Sequence, residues 1–316
     1  MSARLLLAPM LALAAFAVAV VAGWLIAALA GVVIRTWTGL TSSSRAALLA
    51  QARLAPLAGA LVLVPAQIAA FARLEAGGDE SAGPLLMVAA LVGLAFCLEA
   101  VRSAVAAYRQ THAVLSDWRS SATPLALPLW TRRAWAIRRR FPIVAVVGIV
   151  RPELFMATQV ARECSGPELA AISAHEAAHV GAGDNLLRLL YRVTPGSVLR
   201  KWIGDRLERE WALAAEHTAD ATAREVAGAI DLASALTKVA GLAAGSTDGP
   251  IAASTLIGAS ELDSRVRRLL APASMGRHSR AVWMPAAAVL AALVIMQTSS
   301  VQVTLHELFE LFVQRY

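Results

Sequence analysis

The chain has 316 residues, 58% of them apolar, with a mean hydropathy of +0.60 and a formal net charge of +7. Soluble domains are nearer half apolar, and here the excess gathers in a few long runs, which excludes an ordinary soluble enzyme and points to lipid. Lys201 and Lys238 are the only lysines; the arginines flank the apolar runs, so the positive charge reads as membrane topology rather than as a nucleic-acid footprint, and no direct nucleic-acid contact is expected.

A spanning helix needs ~20 apolar residues. Residues 5–34 carry no charge and predict the first span. This core is too long for a secretory leader, and Arg4 alone precedes it. Residues 54–71 predict the second span, interrupted by Pro56, Pro65 and Gln67. Proline is tolerated in lipid when neighbours satisfy the freed carbonyl. Residues 84–105 predict the third, with Glu99 and Arg102 near its end placed to pair, and residues 282–299 the fourth. Cys97 falls in the third run and Cys164 before a later helix; with no CxxC they build neither a disulfide framework nor a thiolate metal site.

Arg35, Arg45 and Arg53 lie between the first two runs, and arginines crowd the stretches after the third and before the fourth. Glu75, Asp79 and Glu80 lie between the second and third. The positive-inside rule then predicts a bacterial-type inner-membrane protein with both termini outside. Its parts are three transmembrane helices within 1–105, a cytoplasmic domain at 106–281, a fourth helix at 282–299 and a short extracytoplasmic tail at 300–316.

Within the cytoplasmic part, residues 111–141 are basic and contain Trp118, Trp130 and Trp135, a composition that suits a membrane-interface segment or a solvated linker. Residues 143–150 and 153–156 are β-prone runs separated by Arg151-Pro152 and predict a hairpin or two short strands. Such a strand can offer an edge to an extended peptide or serve simply as core. Ser165-Gly166-Pro167-Glu168 then opens a helix: serine caps, proline fits the first turn and glutamate completes a capping box. The helix is expected to run to about Val180, with Gly181 and Gly183 stopping it.

This helix carries His175-Glu176-Ala177-Ala178-His179. Residues four apart share a helix face, so the two imidazoles can reach one Zn²⁺. Glu176 is offset by ~100° and is better placed to act as general base toward a water than to be a ligand. The three fixed residues meet by chance in about one chain in a hundred of this length, so the context of a well-signalled helix matters. A third ligand must come from elsewhere. Residues 205–228 form a long helical pattern in which Glu216 and Asp220 share a face. Glu216 as ligand would complete a site with one open position, and Asp220 could then accept from a ligand histidine. His217 is the rival ligand, and a merely solvated Glu216–Asp220 face is the plain alternative. Asp184 most simply caps the helix that follows, and can also orient the metal shell.

The run Val147-Gly-Ile-Val-Arg-Pro-Glu-Leu-Phe, the run Leu169-Ala-Ala-Ile-Ser-Ala-His-Glu-Ala-Ala-His, then Asp184, Glu216-His-Thr-Ala-Asp220 and the arginine-containing 262–270 together resemble the membrane zinc metallopeptidases of the β-lactam sensor-transducers, the antirepressor peptidases. The HExxH and ExxxD pair is shared with heat-shock and CAAX-type membrane proteases; the order of spans favours the first family. The resemblance implies a mainly α membrane protein with four transmembrane helices and a cytoplasmic α+β zincin-like protease domain between the third and fourth. It implies zinc on His175, His179 and Glu216, with Glu176 as base and Asp220 behind. The chain departs from the family at Gly181-Ala182-Gly183, where a basic stretch is usual, and residues 300–316 carry no SxxK, so β-lactam sensing is not expected. The expected activity is zinc-dependent hydrolysis of a cytoplasmic or membrane-proximal protein, a transcriptional repressor by the family's example. A signalling scaffold with a zinc site but little proteolysis, and a heat-shock-type quality-control protease, are the alternatives. The lipid bilayer is the other expected partner, and a homo-oligomer stays open.

Overall fold

The computed structural model describes residues 2–74, 80–244, 259–271, 303–304 and 313–315. They are mostly helical, with one small mixed sheet of four strands and a separate strand pair. The chain divides into two compact units.

The first unit draws its described residues from Met1–Val105, Leu190–Trp211 and Arg277–Tyr316. Its helices are α1 (Ser2–Thr36), α2 (Ser42–Leu74) and the first part of α3 (Pro84–Ser120). All three are long and apolar enough to cross a membrane, over Leu6–Thr36, Ser42–Arg73 and Pro84–Ser120. Each outruns its predicted span, because polar residues continue the helix past the apolar core. Pro56 and Pro65 lie inside α2 without ending it. The fourth predicted span, 282–299, lies outside the described residues. Helices α1 and α2 meet at Gly23, where an added Cβ would stand 2.4 Å from Pro56 Cα, and α1 meets α3 at Gly93, where it would stand 2.0 Å from the Leu13 carbonyl oxygen. In lipid such small residues let backbones approach, and dispersion then holds the helices. Between α2 and α3, β1 (Glu80–Ala82) pairs antiparallel with the near-terminal strand Val313–Arg315.

Two expectations are corrected here. Arg53 is not an inter-span surface charge. It lies within α2, fully buried, between the rings of Trp24 and Tyr191 at 4.8 and 5.0 Å, and donates to the Tyr191 carbonyl at 2.8 Å. Glu99 does not pair with Arg102: it accepts from the Gly196 and Ser197 backbone N–H groups at 3.0 and 3.2 Å, with Arg200 at 3.6 Å. Backbone donors at a turn offered a better-aligned anion site than a neighbour on the same helix.

The second unit comprises Ala106–Leu189 and Ala212–Gly276. Its sheet contains β2 (Thr123–Pro124), β3 (Ala134–Ile137), β4 (Val144–Val147) and β5 (Glu153–Ala157), in spatial order β2-β3-β5-β4. The predicted pair of strands is β4 and β5, antiparallel, with Val146 opposite Leu154; β3 runs parallel to β5. Central β5 is buried throughout, and β4 forms one edge. The basic 111–141 segment is folded and not a solvated linker. It supplies the end of α3, β2 and β3, and Trp118 is buried edge-on against Phe155 with centroids 5.3 Å apart. Trp135 donates to Glu153 at 3.0 Å, and Arg119 to the same carboxylate at 3.2 Å.

After the short α4 (Thr158–Glu163) come α5 (Gly166–Ala182), α6 (Asp184–Val193), a short α7 (Ser197–Leu199) leading into a π-helical turn over Arg200–Gly204, α8 (Asp205–Ala227), α9 (Ala229–Ala244) and α10 (Ala259–Leu270). The capping box at the start of α5 forms as expected, with the Glu168 carboxylate accepting from Ser165 N at 2.7 Å. The helix passes through Gly181 and ends at Gly183, whose φ of 73° is the left-handed conformation glycine adopts without strain. Ala171 and Ala174 of α5, Ala223 of α8, Leu232 and Ala233 of α9 and Leu269 of α10 form one buried cluster. This cluster joins α5, α8, α9 and α10 beside the residues His175 and Glu216.

Candidate metal centre

Helix α5 delivers His175 and His179 one turn apart, and α8 delivers Glu216. One ligand atom from each lies within 4.8 Å of the others. The closest approaches are shorter: 3.2 Å between the two histidine Nε2 atoms, 3.5 Å from His175 Nε2 to Glu216 Oε2 and 3.5 Å from His179 Nε2 to Glu216 Oε1, one carboxylate oxygen facing each ring. Donors bound tetrahedrally at 2.0–2.1 Å lie about 3.3 Å apart. Two imidazoles and a carboxylate therefore converge closely enough to share one divalent ion. Glu216 sits near its neighbours' charges, not on a solvated face.

The remaining ring nitrogens are also held. His179 Nδ1 lies 2.6 Å from Asp184 Oδ2. His175 Nδ1 lies 3.0 Å from Asp220 Oδ1, off the N–H axis, so the contact is an ion pair before it is a hydrogen bond. Each carboxylate favours the tautomer that presents Nε2 to the centre. Asp184 thus does more than begin α6: it ties that helix to the second histidine.

Arg265 has the largest role that the sequence did not disclose. Its side chain is 1% exposed; it donates through Nε and Nη2 to the two Asp220 oxygens at 2.8 and 2.6 Å, and its Nη1 lies 3.1 Å from Glu216. One guanidinium orients both Glu216 and Asp220 of α8. Its signal was legible in retrospect: Arg265 falls on the same face of α10 as Leu262 and Leu269, where an apolar residue belongs. His217 is not brought to the centre. Its Nδ1 is 3.2 Å from Arg268, and burial together with that cation lowers its pKa.

Charge follows from this packing. Burial opposes a charge on His175, but Asp220 and Glu216 outweigh it and raise the imidazole to about 10. Burial also opposes ionisation of Glu216, yet His175, His179 and Arg265 hold it down at about 2. Asp220 is lowered as well, burial again being overcome by His175 and Arg265. Both carboxylates stay ionised in a buried place because the charges of His175 and Arg265 offset the cost of burial. Glu176 behaves oppositely: burial pushes its carboxyl up, the shift expected of a base tuned toward neutral pH.

A polar cavity of about 90 Å³ opens on His175, Glu176, His179 and Glu216 and is bounded on one side by β4 and on another by Asn185 and Arg188. A narrower, apolar cavity shares Val144, His175 and Glu176 with it and continues between Ile172, Leu232, Leu236 and Leu262. No protein-family model matches the chain, and no curated protein matches it.

Proposed function

We propose that the protein is a membrane-bound zinc endopeptidase, with the metal held by His175, His179 and Glu216. The observation that carries this reading is the convergence of two imidazole nitrogens 3.2 Å apart and the Glu216 carboxylate, one ligand atom from each within 4.8 Å of the others. Two imidazoles and one carboxylate are a zinc donor set of the hydrolytic kind, with a further position left for water or substrate. Zinc bound there would supply Lewis acidity toward a peptide carbonyl and a water molecule.

The protein's own residues would do the rest. Glu176 stands beside the ligands without belonging to their set, and burial makes its carboxylate the stronger base. It would take a proton from the attacking water as the water oxygen bonds to the carbonyl carbon. It would then deliver that proton to the departing amine as the C–N bond breaks. Asp220 and Asp184 would keep the imidazoles oriented, and Arg265 would keep Glu216 and Asp220 ionised. Substrate would lie along the edge strand β4, extending the sheet by backbone hydrogen bonds.

The membrane topology supports a protein substrate on the cytoplasmic side. The β1 pairing of Glu80 with Arg315 supports a topology in which the loop between α2 and α3 and residues 313–315 share one side of the bilayer. If α3 crosses, the chain must cross once more before Val313, and this supports a fourth span after the second unit. The arginine distribution supports a cytoplasmic place for that unit. The resemblance to the antirepressor peptidases supports a repressor-like substrate in the same compartment.

The experiment is zinc content and proteolysis of the purified full chain in detergent, beside Glu176→Gln. One zinc per chain in both, hydrolysis in the wild type abolished by chelator, and a loss of at least about 100-fold in the variant are expected. Unchanged hydrolysis by Glu176→Gln would remove Glu176 from the chemistry. Stoichiometric zinc with no hydrolysis by the wild type would favour the zinc-bearing scaffold.

A further inference from the structure

The edge of β4 is not open along its length. Ala157 N donates to Ile143 O at 2.7 Å, and the antiparallel register sets Val144 opposite Met156 and Val146 opposite Leu154. Bonded and non-bonded pairs alternate in such a ladder. Residues 143, 145 and 147 therefore turn their backbone groups toward β5, and 144, 146 and 148 turn theirs outward. The outward carbonyls of Val146 and Gly148 are already taken: Asn185 Nδ2 donates to them at 3.1 and 2.9 Å. A side-chain amide thus occupies the place where an added strand would bond. The outward backbone groups of Val144 are not among those Asn185 takes, and Val144, itself 6% exposed, lines both cavities that meet His175 and Glu176.

We propose that Asn185 is a positioning residue that ends the substrate-binding edge, so that an extended peptide pairs fully with β4 only at Val144, beside Glu176. The proposal rests on the peptidase reading for what occupies the edge. An antiparallel peptide has its N-terminal part toward Gly148 and its C-terminal part toward Val144. Asn185 therefore denies backbone pairing to residues upstream of the Val144 rung. Asn185 follows directly on Asp184, whose carboxylate holds His179. The same turn of α6 thus sets the metal shell and the length of the edge. The enzyme would gain little from long upstream sequence and would depend on the residues immediately around the scissile bond.

The test uses the full chain in detergent, loaded with zinc, and quenched-fluorescent peptides of Ala, Val and Leu, four to eight residues long and lengthened one end at a time. In the wild type, N-terminal extension beyond the rung should leave kcat/KM within about two-fold. In Asn185→Ala, the same extension should raise it roughly ten-fold through a lower KM, the worth of one or two freed backbone hydrogen bonds. Asn185→Asp, which keeps the size but loses the donor, should behave like alanine. A merely structural role would lower activity at every length and leave the slope with length unchanged. Equal gains from extension in wild type and both variants would overturn the proposal. The ladder is repeated as binding, by fluorescence anisotropy on Glu176→Gln with and without Asn185→Ala. A length response in binding without cleavage keeps the proposal and removes the peptidase reading. Cleavage without a length response does the reverse, and neither cleavage nor binding removes both.

Discussion

Arg265 of α10 holds Asp220 of α8 with two parallel hydrogen bonds, 2.8 Å from Nε to Oδ2 and 2.6 Å from Nη2 to Oδ1. Both side chains are almost wholly buried. Breaking a buried pair from one side leaves a charge with no partner, at a cost of about 3–5 kcal/mol, whereas replacing both partners with apolar groups is far milder. Arg265→Leu is therefore expected to destabilise the protein by up to about that amount, His175 remaining beside Asp220, and Arg265→Leu with Asp220→Leu to recover part of it, Glu216 and His175 still having lost a partner each. Chemical denaturation of the metal-free protein checks this. A double variant no more stable than the single one would mean that Arg265 acts by packing, not by pairing.

The Asp184–His179 contact of 2.6 Å should appear in metal affinity. A carboxylate behind a ligand histidine fixes its tautomer, and its loss typically costs 10–100-fold in affinity. Asp184→Ala is expected to weaken zinc binding by that range in competition with a chromophoric chelator, and Asp184→Asn, which can still accept, by less. Equal affinities for wild type and Asp184→Ala would limit Asp184 to its place at the start of α6.

How far the site was legible depended on whether its signal was local. His175, Glu176 and His179 share one helix with a capping box, so spacing alone placed them. Glu216 and Asp220 share the next long amphipathic helix, and their spacing named them too. Arg265 and Asn185 act across elements, on Asp220 and on β4, and a local pattern carries no such partner information. The tryptophans at 118 and 135 gave a local signal that named no partner. Tryptophan beside arginine fits a lipid headgroup region, but it fits equally well the rim of a small sheet, where Trp135 and Arg119 both find Glu153. The membrane helices were legible as runs and not as lengths, since a helix continues past its apolar core wherever propensity allows.

One chemical change should have opposite signs in the two units. At Gly93 an added Cβ would stand 2.0 Å from the Leu13 carbonyl oxygen, on backbone that cannot rotate away; at Gly241 it would meet nothing within 4 Å. Gly93→Ala is expected to cost about 1–3 kcal/mol by forcing α1 and α3 apart. Gly241→Ala, within α9, is expected to gain roughly 0.5–1 kcal/mol from helix propensity and a less flexible unfolded chain. Thermal melts in one detergent compare the two. A neutral Gly93→Ala would show that α1 and α3 do not approach this closely in lipid.

Glu168 gives the pH dependence that is independent of the metal. Its carboxylate accepts from Ser165 N at 2.7 Å, from Ser234 at 2.6 Å and from Lys238 at 2.7 Å, which fastens the start of α5 to α9. Burial alone would raise its pKa, but Lys238, Ser234 and Ser165 outweigh it and hold the group at about 2. The unfolded chain binds that proton near 4.3. The stabilisation is thus complete above about pH 4.3 and drains away as pH falls toward 2, where the folded carboxylate also takes its proton. Glu168→Gln cannot ionise and should be less stable than wild type by about 1–3 kcal/mol at pH 7. The difference should hold from pH 7 to 5 and then shrink steadily through pH 4 and 3. Denaturation curves across that range measure it. A difference that stays constant down to pH 3 would mean that the lost interaction is steric, and that the charge on Glu168 does not bind α5 to α9.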